Sequence, residues 1–366
     1  MGQASQQEWQ PLVSVIMPIF NAMPYLDQAL SSVREQTYQN LEVLCLNDGS
    51  TDDSLSCMER HAEQDVRIVV VDKENEGYGA TCNKGLSIAR GEWIFFLEPD
   101  DWIEKTCVST LVDAARIYAG SVPPVDVVKA GYWRVVCHEG KEVKERCNFL
   151  GRIKPSAQPF TVERAPHLLR HHPSIWSALY RRKFLNEMNI RFKEIPGAGW
   201  ADNPFLIETL CQAKAIVYVD KPLYCYRAEA PDEAKAALAR NPFIPFERWH
   251  DMMDILERLG VKKKAILYAQ VARGFLYKNQ VASAVGIDQP EIKDELIRMF
   301  KRMDPELVYK ERSVSPEDKL LFAQLLDLPA PKIDKGAYKK YLLSEGLYSM
   351  RNIGIANTVK KVFNRS

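Results

Sequence analysis

Four apolar runs rich in β-branched residues occur in the first 120 residues: VSVIMPIF at 13–20, LEVLCLN at 41–47, RIVVVD at 67–72 and WIFFLE at 93–98. Helix-like segments separate them. Strand and helix alternating at this tempo mean βαβ units, whose right-handed crossovers force neighbouring strands to run parallel. Runs that are apolar on both faces belong inside such a sheet. Each run stops at polar residues: Pro18-Ile19-Phe20-Asn21, Asn47-Asp48-Gly49-Ser50, Asp72 before Glu74-Asn75-Glu76-Gly77-Tyr78-Gly79, and Glu98-Pro99-Asp100-Asp101. Unpaired charge is too costly to bury. These acids therefore sit at the carboxyl edge of the sheet, where open α/β sheets bind ligands.

A phosphate ligand would be repelled by such an edge unless a cation intervened. Asp100 with Glu98 or Asp101 offers hard oxygen donors suited to Mg2+ or Mn2+. Such an ion would bridge a diphosphate and offset the charge that grows as the phosphate departs. A lone acidic turn would ordinarily be a helix cap, here for a helix starting near Ile103. Polar residues at all four strand ends favour a small-molecule site instead. No GxGxxG follows the first strand, which disfavours a dinucleotide bound in the Rossmann manner.

After Pro123-Pro124 the pattern changes. VDVVKAGYWRVV and HEGKEVKERCNF read as a strand and a hairpin. SIWSALYRRKFLNE reads as helical in its second half, GWADNPFLIETLCQA as a helix with a polar start, and AIVYVDKPLYCYR as a strand broken at Pro222. From about Asp232 the sequence is helical almost throughout. The expected regions are 11–120, 121–230 and a helical 231–366.

The net charge of +1 gives no general reason to expect a nucleic-acid partner. Residues 331–366, however, hold eight Lys/Arg against two Asp/Glu. The basic end, VKKVFNR, suits contact with anionic lipid, and a frayed terminus is the plainer reading. Eight cysteines are scattered without a CxxC, as expected for reduced thiols in the cytoplasm. The start, MGQASQQEWQ, has neither the apolar core of a signal peptide nor, with Gln6, a myristoylation pattern. No apolar run approaches a membrane span. The expected location is the cytoplasm, at the inner face of the membrane if the basic end touches it.

Pro11 to Ile103 resembles the nucleotide-sugar domain of family 2 glycosyltransferases, inverting enzymes with the GT-A fold. The resembling stretches are VSVIMPIFNAMPYLDQALSSVREQTYQNLEVLCLNDGSTDDS and NEGYGATCNKGLSIARGEWIFFLEPDDW. A weaker likeness continues through IWSALYRRKFL and WADNPFLIETL to about Arg227. The resemblance implies a Rossmann-like, mostly parallel sheet, with the nucleotide-sugar half at 11–120, the acceptor half at 121–230 and a helical C-terminal extension. It also implies transfer of a sugar, UDP-linked in the first instance, to a hydroxyl of a glycan or lipid-linked saccharide in polysaccharide biosynthesis.

Carried over position by position, Pro18, Phe20 and Asn21 would line the nucleoside pocket and Asp48 would contact base or ribose. Asn75, Gly77, Gly79 and Asn83 would lie over the nucleotide. Glu98-Pro99-Asp100 would be the DXD motif, with Asp100 and Glu98 on Mn2+ or Mg2+ and Asp101 beside them. Asp202 would be the general base, with Trp200 as an acceptor-side aromatic. The plainer reading of Asp202 is a helix N-cap, and of Trp176 a core residue. His171-His172 and Arg181-Arg182-Lys183 read as loop and solvated-helix residues. Three departures stand out: Glu98 in place of Asp, Ala201 in place of an acid, and Cys82 where many relatives have Arg. Glu98 and Ala201 motivate an alternative, a non-catalytic nucleotide-sugar-binding or interaction protein of the same fold. A sugar nucleotidylyltransferase would need a Gly-rich, Arg-containing loop after the first strand, where this chain has PIFNAMPYL.

Overall fold

The computed structural model describes residues 9–138, 141–228 and 231–363. The readings of the first eight residues and of the VKKVFNR side chains lie outside the described residues. In chain order the elements begin with β1 (Val13–Ile19), α1 (Leu26–Arg34), β2 (Leu41–Asp48), α2 (Ser54–Gln64), β3 (Ile68–Lys73), α3 (Tyr78–Ile88) and β4 (Trp93–Phe96). Next come β5 (Trp102–Ile103), α4 (Cys107–Ile117), β6 (Val127–His138), β7 (Lys141–Arg146), β8 (Ala178–Arg181), α5 (Arg182–Glu187), α6 (Asp202–Gln212) and β9 (Ile216–Arg227). Seven helices follow: α7 (Pro231–Arg240), α8 (Ile244–Arg258), α9 (Lys264–Val285), α10 (Pro290–Lys301), α11 (Pro305–Lys310), α12 (Pro316–Leu325) and α13 (Lys335–Phe363).

The sheet order is β3-β2-β1-β4-β8-β6-β9-β5, with β7 paired to β6. The first four strands are parallel to their neighbours, as the βαβ reading requires. β1 and β2 are buried along their whole length because helices cover both faces. Beyond β4 the sheet turns antiparallel: β8 runs against β4 and β6, and β5 against β9. The helix read in the second half of SIWSALYRRKFLNE is α5, with the strand Ala178–Arg181 ahead of it. Two local expectations are corrected. β9 runs unbroken through Pro222. The helix expected near Ile103 starts at Cys107, because Trp102 and Ile103 pair with Cys225 and Tyr224 instead.

The chain divides into two compact units. One runs up to Trp133 and includes Leu150–Val162 and Ser174–Arg227. The other comprises Arg134–Phe149, Glu163–Pro173 and the chain from Ala228 onward. The first is centred on the sheet, with an aromatic layer under β4. There Phe192 stacks on Phe205 at 4.0 Å, and Phe96 meets both edge-on. The second unit buries Phe275, Phe300 and Phe322 against one another. Its buried carboxylates are paired: Arg170 grips Glu311 with two bonds of 3.0 and 2.8 Å, and Lys278 meets Asp318 at 2.5 Å.

Candidate functional site

The carboxyl ends of β1 to β4 bring four loops to one edge of the first unit. Pro18 is buried within β1, while Phe20, just past its end, is 50% exposed. Asn21 adopts a left-handed φ of 48°, which a short polar side chain tolerates. Its Oδ1 accepts from the Thr51 amide at 2.8 Å, and its own amide donates to Ser50 Oγ at 3.1 Å. The Ala22 and Met23 amides donate to Ser54 and Asp52. The NDGSTD turn is thereby laced to the loop after β1.

Asp48 is buried, and both carboxylate oxygens are engaged. Oδ1 takes the Lys73 ammonium and the Glu76 amide, and Oδ2 takes the Gly77 amide at 3.0 Å. Burial alone would raise its pKa; Lys73 and the backbone amide outweigh that and hold the carboxyl below its ordinary value. Asn75 Nδ2 donates to the Asp48 carbonyl at 2.9 Å. Asp48 thus clamps the loop after β3.

The glycines of that loop are needed for a close approach, and the approach is to the chain's own residues 193–197. A Cβ on Gly79 would lie 2.2 Å from the Lys193 carbonyl oxygen, and one on Gly77, whose φ is 91°, 2.8 Å from that of Ile195. Asn83 exchanges hydrogen bonds with Phe192, donating to its carbonyl at 3.0 Å and accepting from its amide at 2.8 Å. These residues hold the segment 192–197, which leads directly to Trp200 and Asp202. Cys82 is wholly buried and burial pushes its thiol far up, so it offers nothing to a phosphate.

The three acids after β4 have separate environments. Asp101 is 2% exposed, and its oxygens accept from the Tyr224 hydroxyl at 2.9 Å and the Arg227 amide at 2.6 Å. It ties the turn to β9 and is a structural group. Glu98 accepts from the Tyr78 hydroxyl at 2.6 Å. Burial pushes its pKa up to about 8; Tyr78 pulls it down, while the Asp100 and Asp202 charges push it further up. Asp100 is exposed at the tip. Its carbonyl accepts from Arg227 Nε at 3.0 Å, and that guanidinium lies between the rings of Tyr25 and Trp102, 4.4 and 4.9 Å from their centroids.

Asp202 occupies the first position of α6 and Ala201 is the residue before the helix, so Asp202 is not itself the N-cap. Asn203 Nδ2 donates to its Oδ1 at 3.1 Å. Its charge also contributes to raising the pKa values of Tyr78 and Tyr180. Trp200 sits at a φ of 57°, a strained value for a bulky residue, after Gly197 and Gly199 at 68° and 47°. The structure therefore brings Asp100 and Asp202 each within electrostatic reach of Glu98.

Residues 14–188 match the family model described as Glycosyl transferase family 2. That stretch is similar to a family 2 glycosyltransferase domain. Similar curated proteins include two from Bacillus subtilis (strain 168): an uncharacterized glycosyltransferase, EpsJ, 28% identical over 64% of this chain, and a putative one, EpsH, 31% identical over 59%. Glycosyltransferase GlyA of Streptococcus pneumoniae serotype 4 is 25% identical over 80% of this chain. The aligned region spans 65%, 61% and 42% of those three relatives' own lengths. The fold is similar to that of S. aureus TarS 1–349 in complex with UDP-GlcNAc, with a TM-score of 0.66 and 20% identity over 86% of this chain and 87% of that one. The fold is thus mixed α/β of the GT-A kind, with helices following the sheet.

Tyr78, Tyr224, Arg227 and Lys73 matter to the site and were not singled out from the sequence. Tyr78 stood inside the quoted NEGYGA stretch. Tyr224 and Arg227 lie more than a hundred residues from the acids they hold, and the pairing of β5 with β9 is what joins them. Other candidate residues have structural partners. Trp176 is buried and stacks on Tyr224 at 4.1 Å. Arg181 pairs with Asp126, Arg182 Nε donates to the Gly91 carbonyl, and Lys183 lies near Glu187. His171 meets His167, Nε2 to Nε2 at 3.0 Å. Asp27, Cys57 and His61 cluster at ligand-like distances. Arg34, which can only donate, faces His61 Nδ1, leaving Nε2 to carry the proton toward Asp27. That arrangement is a hydrogen-bonded pair and leaves no imidazole lone pair for a metal.

Proposed function

We propose that this chain transfers a sugar from a nucleoside-diphosphate sugar to a hydroxyl of a glycan or lipid-linked saccharide, with inversion and metal assistance, in polysaccharide assembly. The observation that carries the reading is that Glu98, held by the Tyr78 hydroxyl, lies in the field of both Asp100 and Asp202, which sets an acceptor-side carboxylate near the acidic turn. UDP is the first nucleotide to test, because the TarS structure of similar fold holds UDP-GlcNAc.

On this reading Asp100 and Glu98 hold Mn2+ or Mg2+. The residues fit such an ion: the donors are hard carboxylate oxygens, and Glu98 is held up partly by nearby negative charge that a cation would offset. When bound, the ion supplies charge neutralisation to the departing diphosphate. Phe20, Asn21 and Asn75 border the nucleoside. Pro18 and Asp48, with Gly77, Gly79 and Asn83, act beneath it by fixing the loops. Trp200 offers a ring to the acceptor. Asp202 takes the proton of the acceptor hydroxyl as its oxygen attacks the anomeric carbon, and the bond from that carbon to the diphosphate breaks. Work in the cytoplasm, at the inner face of the membrane, belongs to the same reading.

Asp202→Asn tests it. Donor binding should be kept while turnover falls by about a hundredfold or more. Full turnover would show the base assignment wrong. A second reading, a protein that binds the donor and never consumes it, is favoured by the buried Ala201, which supplies no second acid beside Asp202. Metal-dependent donor binding without any donor loss, across a panel of saccharide acceptors, would select that reading.

A further inference from the structure

We propose that the first part of α13 lies flat on an anionic lipid surface. The helix is regular until Gly354, whose φ of 80° interrupts it. Leu343, Leu347 and Met350 follow one another at i, i+4 and i+7, the spacing that lines up one face of a helix. They are 68%, 58% and 37% exposed. Leucines left this open along one line are unusual outside a contact surface.

The charges around the stripe are of one sign. At 3.6 residues per turn, Lys335 and Lys339 flank it on one side, and Lys340 and Arg351 on the other. All four are exposed. Glu345 is the only carboxylate between Lys335 and Gly354, and it lies on the far side of the helix with Tyr348. That far side is already occupied, since the Tyr348 hydroxyl donates to the Cys147 carbonyl at 2.9 Å. An apolar stripe between two rows of cations, on a helix with its back anchored, matches an interfacial helix: leucines enter the acyl boundary while the long basic side chains reach headgroup phosphates. Among the described residues no helix is long and apolar enough to cross a membrane, so the helix would lie on the surface.

A second copy of the chain is the competing occupant. Two-fold pairing through this stripe would bring the same four cations of each copy toward each other, which like charges oppose. An anionic bilayer reverses that sign, and charge complementarity selects it. The proposal does not depend on the sugar-transfer reading.

The test is flotation of the full chain with vesicles of phosphatidylcholine alone and with about one third phosphatidylglycerol, at low and high salt. The chain should bind the anionic vesicles at least tenfold better than the neutral ones, and high salt should weaken that binding. Leu343→Gln with Leu347→Gln should reduce binding roughly tenfold or more, and Lys339→Glu with Lys340→Glu should do likewise. These residues are exposed, so melting temperature, UDP binding and the mass by light scattering should not move. No vesicle binding, or equal binding to neutral vesicles, would overturn the proposal. So would a wild-type dimer that the double Gln variant makes monomeric, since the stripe would then join two copies.

Discussion

Replacing Glu98 by Gln tests the electrostatics of the acidic turn without changing its shape. Burial, with the Asp100 and Asp202 charges adding to it, raises the Glu98 pKa from 4.5 to about 8. The folded chain therefore holds a proton that the unfolded chain releases between those values. Whatever stability this gives is complete below the unfolded value and is lost as pH rises through the folded one. At about 1.36 kcal/mol per pKa unit the loss is capped at roughly 5 kcal/mol. Glu98 is partly open to water, so we expect about 2 kcal/mol between about pH 5 and about pH 8.5. For the first unit, of about 200 residues, that is a fall of about 4–8 °C in melting temperature. The assay is thermal unfolding in EDTA across that range, wild type against Glu98→Gln, then repeated with Mn2+. The variant should be flatter with pH, and Mn2+ should restore most of the wild-type loss, because a cation stabilises the ionised carboxylate. Parallel pH profiles for the two proteins would refute the reasoning.

Gly79→Ala should destabilise the first unit by about 1–3 kcal/mol, because its Cβ would press on the Lys193 carbonyl oxygen, a backbone atom with little room to yield. The same variant should weaken turnover by displacing the segment that carries Trp200 and Asp202, and wild-type melting would argue against that packing. Asp48→Asn should cost about 1–3 kcal/mol in denaturant unfolding by taking one carboxylate from Lys73, which keeps Glu76 and the Glu74 carbonyl, and by loosening the 75–77 loop. With its carboxyl held below the ordinary value, Asp48 contributes stability above about pH 4 that is lost as pH falls further. An Asp48→Asn variant with the wild-type acid profile would remove that contribution from the account.

The parallel half of the sheet was legible because its signals are local. Each apolar run, each turn and each helix lies within a few dozen residues, and the parallel direction of β1 to β4 follows from the βαβ crossovers, while their order, β3-β2-β1-β4, needed the structure. The antiparallel half was not. β8 has four residues and sits directly before a helix, so its apolar character merged with the helical pattern. β9 runs through Pro222, a residue that reads as a break until the strand's neighbours are known. In the site, the residue types were visible and their directions were not. Asp48, Asn83 and Asp101 are polar groups at a ligand-binding edge, yet their side chains bond the protein's own backbone. Gly77 and Gly79 do mark a close backbone approach, but its partner, residues 193–197, is more than a hundred positions away. Glu98, Asp100 and Asp202 needed the fold to bring them into one field.

The central claim is that the turn after β4 binds a nucleoside-diphosphate donor through a divalent cation on Asp100. Calorimetric titration of UDP, then GDP, in Mn2+ and in EDTA, on wild type and Asp100→Ala, tests it directly. The account predicts that one nucleotide binds the wild type in Mn2+, and that binding vanishes in EDTA and in Asp100→Ala. Binding of neither nucleotide, or binding that survives both EDTA and the substitution, would contradict it.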